Sequence, residues 1–140
     1  MIEIFFDGAV WPMNPGGTGS IGVIIRINGE VVHTISKIIG KGALMTNNVA
    51  EYQSLIASLK YLQGHGLVNE PIEAYGDSAL VCYQMQGKWR IKKGIYRESA
   101  LQCRELKKNF KDFTITWISR DKNVEADELS KLCQFSNRGK

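Results

Sequence analysis

From Ile2 to Ile39 the apolar residues follow a strand rhythm, and from Thr46 onward they switch to a helical one. That change of period confines the chain to folds in which a hairpin-built sheet meets helices. Ile2 to Val10 is rich in β-branched and aromatic side chains, and Asn14-Pro15-Gly16-Gly17-Thr18-Gly19 is a dense turn signal. Ile21 to Ile27 resumes β character, Asn28-Gly29 suits a type I′ hairpin turn, and Val31 to Ile39 returns. A three-stranded antiparallel meander follows.

Over Thr46 to Leu62 the residues Val49, Tyr52, Leu55, Ile56, Leu59 and Leu62 recur at helical spacing. Asn47 or Asn48 offers an N-cap, Asn48-x-x-Glu51 reads as a capping box, and Gly64-His65-Gly66 ends the helix. Beyond it the pattern predicts a strand at Pro71–Tyr75, a short helix at Ser78–Gln86 and a cation-dense loop at Gly87–Gly94. A helix at Tyr96–Phe110 turns Ala100, Leu101, Cys103 and Leu106 inward, before a strand at Phe113–Ile118 and a last helix at Asn123–Phe135. The order βββ-α-β-α-α-β-α predicts an α/β fold over residues 1–140 as one domain. Its mixed five-stranded sheet has three antiparallel strands, then parallel ones, with helices on both faces.

A chain of this size buries a core without staples. Cys82, Cys103 and Cys133 are odd in number and contain no C-x-x-C pair. That argues against a disulfide framework or zinc ribbon and fits a reducing cytoplasm. The N-terminus has no basic leader, and no apolar run reaches the ~20 residues that span a bilayer. A cytoplasmic monomer with no membrane or obligate protein partner is the expectation. The net charge of +4 is compatible with a polyanionic partner but does not establish one.

Four acids stand out. Asp7 sits within the apolar strand Phe5-Phe6-Asp7-Gly8, where an ionised carboxylate is costly unless paired or metal-bound. Glu51 lies one turn into the first helix, Asp77 follows a strand and precedes a helix, and Asp127 is four residues before Lys131. Each has an ordinary explanation: a solvent-facing strand position for Asp7, helix capping for Glu51 and Asp77, a surface ion pair for Asp127. Considered together they say more. The first strand is expected at the centre of the sheet beside the strand ending near Asp77, and ligand sites form outside such strand ends. Carboxylates gathered there repel unless divalent cations neutralise them, and hard oxygen donors suit Mg²⁺ or Mn²⁺ better than zinc.

Four stretches then carry a resemblance: Phe6-Asp7-Gly8-Ala9 with Asn14-Pro15-Gly16, Thr46 to Tyr52, Tyr75-Gly76-Asp77-Ser78, and Arg120 to Leu129. Together and in this order they resemble the type 1 ribonuclease H family across almost the whole chain. The resemblance implies hydrolysis of the RNA strand of RNA/DNA hybrids, leaving 5′-phosphate and 3′-hydroxyl ends. It implies Asp7, Glu51, Asp77 and Asp127 as catalytic residues holding two Mg²⁺ ions, with Mn²⁺ a possible substitute. It also implies substrate contacts at Gly8, Asn14, Thr46, Asn47, Asn48, Ser78 and Asn123.

RNA is told from DNA by its 2′-hydroxyls in a shallow minor groove, and the Asn47 and Asn48 amides offer both donors and acceptors for them. Lys88, Trp89 and Arg90, with Lys92, Lys93 and Arg97 nearby, suit a phosphate backbone with an aromatic against a sugar. The alternative is a solvated loop with Trp89 in the core. Some relatives insert a basic helix here, so this chain resembles the loop-short archaeal and bacterial branch. Many relatives carry a His before the last helix. Here that loop is Ser119-Arg120-Asp121-Lys122, and Arg120 can approach phosphate but cannot shuttle a proton. Competing readings are a transposase-, integrase- or resolvase-type nuclease, a non-catalytic hybrid-binding module, and a nucleotide binder, which lacks any G-x-G-x-x-G or Walker pattern.

Overall fold

The computed structural model describes residues 1–138. Its strands are β1 Ile2–Trp11, β2 Thr18–Ile27, β3 Glu30–Lys41, β4 Pro71–Gly76 and β5 Asp112–Trp117. Its helices are α1 Asn47–Gly64, α2 Ala79–Met85, α3 Arg97–Lys107 and α4 Val124–Arg138, with a 3₁₀ turn at Arg120–Lys122 before the last. The Asn28-Gly29 turn has φ of 52° and 85°, the left-handed pair that matches the twist of a tight hairpin. Strand β2 starts at Thr18, earlier than the glycine-rich sequence suggests, because Thr18, Gly19 and Ser20 pair with Trp11, Val10 and Ala9.

The strands lie in the order β3-β2-β1-β4-β5, so β1 is central as expected. It pairs antiparallel with β2 and parallel with β4, and β4 is parallel to β5. Phe6 and Val23 are register partners in the main core, packed with Tyr52, Leu55 and Leu59 of α1, Val81 of α2 and Ala100 of α3. Among the described residues, no side chain of α4 belongs to that core. Instead α4 seats on β1, β2 and β3 from the opposite face. Helices therefore cover both faces.

Strand alternation puts the next pair, Asp7 and Gly22, on the α4 side. A Cβ at Gly22 would run into the backbone of Ala126 and Ser130, so α4 rests directly on β2. Ser20 Oγ donates to the Ser130 carbonyl, and Gln134 Nε2 donates to the Thr18 carbonyl at 3.0 Å. No helix among the described residues is long and apolar enough to cross a membrane.

The bare contact at Gly22 yields a test. Gly22→Val should destabilise the fold by ~3 kcal/mol, the upper end for overpacking a close contact, measured as a lower urea midpoint. An unchanged midpoint would show that α4 is not seated on β2 as described.

Candidate active site

The parallel pairing of β1 and β4 runs from Ile2–Ile72 to Phe5–Tyr75 and stops. Asp7 and Asp77 each lie two residues past that last pair, where the strands part. Glu51 reaches the same gap from α1. Asp7, Glu51 and Asp77 each offer a carboxylate oxygen, and the three lie within 4.8 Å of one another.

Helix α1 reaches the gap because Gly8 has no side chain. A Cβ there would collide with the backbone of Ala50 and Glu51. The Gly8 N–H donates to Asp7 Oδ1 at 3.0 Å and also to Glu51 Oε1. Asp7 is 5% and Glu51 6% exposed. Burial, reinforced by the neighbouring Asp77 and Asp127 charges, pushes the Asp7 carboxyl up to about 7. Burial, then the adjacent Asp7, holds Glu51 well above the ordinary carboxylate range. Carboxyls that resist ionising in a small oxygen-rich gap accommodate a hard divalent cation, which favours the charged form that burial alone opposes.

The capping explanations for two of the acids do not hold. Thr46, with extended backbone angles of −122° and 161°, caps α1, its Oγ1 accepting the Val49 N–H at 3.2 Å. That corrects the expected Asn47 or Asn48 cap: the cap lies one residue before Asn47 and two before Asn48, and Glu51 is left too far along to reach back. At α2 the cap is Ser78, whose Oγ accepts the Val81 N–H at 3.2 Å. Asp77 Oδ2 instead accepts from Asn123 Nδ2 at 3.2 Å. For Asp127 the ordinary partner is real, since Lys131 Nζ lies 3.2 Å away.

A cavity of about 280 Å³ gathers Asp7, Gly8, Asn47, Asn48, Glu51, Asp77, Ser78, Arg120 and Asp127, together with Lys131, read beforehand only as a surface partner. Asn47 and Asn48 are exposed, and their side chains have no hydrogen bond among the described residues. Asn14 does not line this cavity, and its Oδ1 is taken by the Asn47 N–H at 3.1 Å. Thr46 is likewise outside it and spends an oxygen lone pair on the cap. Asn123 departs furthest from expectation. At 1% exposure it is too buried to touch a substrate, and it bonds within the protein instead.

Lys88, Trp89 and Arg90 line a second cavity with Leu80, Gln84, Lys92 and Tyr96, separate from the acids. Trp89 is 48% exposed and leans on Tyr83, so it is not a core residue. Sequence gave no sign of Trp117, whose Nε1 donates to the Asp77 carbonyl at 3.1 Å. A Trp near the end of a strand carries no signal of such a partner.

A sheet of this order, with carboxylates where its central parallel pair splays, defines the ribonuclease H-like class. The chain belongs within it to the type 1 ribonuclease H family. Residues 5–133 match the family described as reverse transcriptase-like. The chain is 36% identical over 129 residues to ribonuclease HI of Halobacterium salinarum, covering 92% of this chain and 62% of that one. The crystal structure of RNase H1 from the same archaeon superposes with a TM-score of 0.84 at 32% identity, covering 96% of this chain and 98% of that chain. LC11-RNase H1, solved in complex with RNA/DNA hybrid, gives 0.86 at 33% identity, covering 98% and 99%. The chain thus spans about three fifths of the curated halobacterial relative, and 31% of the Mycobacterium tuberculosis bifunctional protein Rv2228c.

The raised Asp7 value has a consequence for stability. Between its ordinary value of 3.8 and about 7 the folded chain holds a proton that the unfolded chain has lost. Stability in EDTA therefore falls as pH rises through that window. Asp7→Asn, which cannot ionise, should gain on the wild type by at least ~1 kcal/mol between about pH 4 and pH 7 in urea denaturation. A gap that stays constant or narrows with rising pH would contradict the burial described.

Proposed function

We propose that the chain is a metal-dependent endoribonuclease that hydrolyses the RNA strand of RNA/DNA hybrids, leaving 5′-phosphate and 3′-hydroxyl ends. The observation that carries this reading is the convergence of Asp7, Glu51 and Asp77 within 4.8 Å beside two exposed asparagine amides. The family resemblance, and the hybrid bound by LC11-RNase H1, supply the substrate class.

Asp7, Glu51, Asp77 and Asp127 would hold two divalent cations, Mg²⁺ or the similar Mn²⁺. Bound there, such ions lower the pKa of a water and stabilise charge on the leaving oxygen. The protein's part is to orient. The Gly8 amide fixes the facing oxygens of Asp7 and Glu51, so the pair meets the cations with its geometry already set. Asn47 and Asn48, one turn before Glu51, present amides to ribose hydroxyls beside the reacting phosphate. Arg120 and Lys131, on the cavity wall, balance phosphate charge, and Ser78, which lines the same cavity, would offer its hydroxyl as a donor to the substrate. Lys88, Trp89 and Arg90 take the DNA strand beyond the other end of α2, a helix of seven residues and so ~10 Å long.

A reducing, cytoplasmic location fits the free Cys82, Cys103 and Cys133.

The deciding experiment incubates a hybrid carrying labelled RNA with purified protein in Mg²⁺. Cleavage of the RNA strand is expected, abolished by EDTA and reduced by well over ~100-fold in Asp7→Asn, beyond what residues one layer from a metal usually cost. Activity that survives EDTA, or cutting of the DNA strand, would overturn the reading. For the basic loop, Lys88→Ala and Arg90→Ala should each lower the salt slope of hybrid binding by about 1, the mark of a lost phosphate contact. An unchanged slope would leave the loop out of the interface.

A further inference from the structure

Asn123 lies between the 3₁₀ turn and α4, and its carbonyl accepts the Asp127 N–H at 3.1 Å, the first bond of that helix. An asparagine in this position ordinarily turns its side-chain oxygen onto the N–H groups of the first turn. Here the amide faces the other way. Nδ2 donates to the Phe6 carbonyl at 3.0 Å and to Asp77 Oδ2 at 3.2 Å, while Oδ1 is buried with no hydrogen-bond partner among the described residues. Inverting the amide would set its oxygen against two groups that only accept, so the orientation is determined. A buried acceptor without a donor is costly. The arrangement persists because of what the donor side does, and one of its two bonds goes to a carboxylate.

Those bonds connect the parts that make the acid cluster. Phe6 immediately precedes Asp7, Asp77 is held by its own carboxylate, and Asp127 is held by its backbone. One residue therefore ties β1 and Asp77 through its side-chain amide, and Asp127 through its backbone carbonyl, at the point where each acid is delivered. We propose that Asn123 is a positioning residue that sets Asp77 and Asp127 against Asp7, and through them the cation affinity of the cluster, without touching substrate. This rests on the preceding reading of the acids as cation holders.

The test compares Asn123→Ala, Asn123→Asp and, as a control, Ser20→Ala. Ser20 joins β2 to the far end of α4, donating to the Ser130 carbonyl and accepting from Gln134 Nε2 at 2.7 Å, and it touches none of the acids. Three quantities are measured: Mn²⁺ affinity by calorimetry, kcat and KM on labelled hybrid, and Tm in EDTA. Asn123→Ala should weaken Mn²⁺ by ~10–100-fold, the range seen when groups that orient metal ligands are removed. It should lower kcat while leaving KM unchanged. Asn123→Asp keeps the shape but has no donor, and should not restore either quantity. Ser20→Ala should lower Tm and leave Mn²⁺ affinity at the wild-type value.

Unchanged Mn²⁺ affinity in Asn123→Ala, beside a wild type that binds and cleaves, would overturn this proposal alone. A rise confined to KM would do the same, by making Asn123 a substrate contact, and so would an equal loss of Mn²⁺ affinity in Ser20→Ala. A wild type that neither binds Mn²⁺ nor cuts hybrid would remove the cation-site reading and this one with it. Should Asn123→Ala fail to fold, Asn123→Ser, with one small donor, should show an intermediate affinity, and wild-type affinity there would count against the proposal.

Discussion

A single backbone N–H stands between two buried carboxyls. Gly8 donates to both Asp7 and Glu51, one from the central strand and one from the longest helix. Negative charge in so dry a place is unfavourable, and burial holds both the Asp7 and the Glu51 carboxyls above their ordinary range. Much of the surrounding structure serves to make the approach possible. Gly8 has no Cβ, so α1 comes down onto β1. Thr46 starts the helix, and Asn14 holds its first amide. The splaying of β1 from β4 beyond Phe5 and Tyr75 leaves the room into which Asp77 projects.

What could be read from sequence follows from the range of the forces involved. The stripe of Tyr52, Leu55, Ile56, Leu59 and Leu62 is a local pattern, and all five are buried. The Asn28-Gly29 turn is equally local, because its backbone needs residues that tolerate positive φ. The position of β1 at the centre followed from the hairpins and the later strands together. Thr46 was hidden as a cap because Thr46, Asn47 and Asn48 are consecutive and any of them can cap. Ser78 was hidden behind Asp77 for the same reason. The resemblance singled out Asn123, but its partners were out of reach, since Phe6 and Asp77 are distant in sequence and only the folded sheet brings them near.

The loop after α2 shows how a short chain orders a basic segment without an inserted helix. Gln84, nearly buried, accepts from Tyr52 Oη at 2.5 Å and donates to the Arg90 carbonyl and to Tyr96 Oη. The Lys92 N–H closes the set onto Tyr96 Oη at 3.0 Å. A polar network rooted in α1 and α2 therefore shapes the loop, with Ile91 packed on the core and Trp89 on Tyr83, while Lys88, Arg90, Lys92 and Lys93 remain exposed.

Asp7, Glu51 and Asp127 lie on β1, α1 and α4 and Asp77 on the bend after β4, so the acids span the chain from residue 7 to residue 127. The site draws on widely separated parts of the chain, and α4, made after the other elements described, sits on the opposite face from α1. A chain still leaving the ribosome therefore carries three of its acids exposed to the cell without the fourth. The full set of acids is therefore assembled in one late step, when that helix docks on β2 and gives Asp127 a fixed place beside the other three.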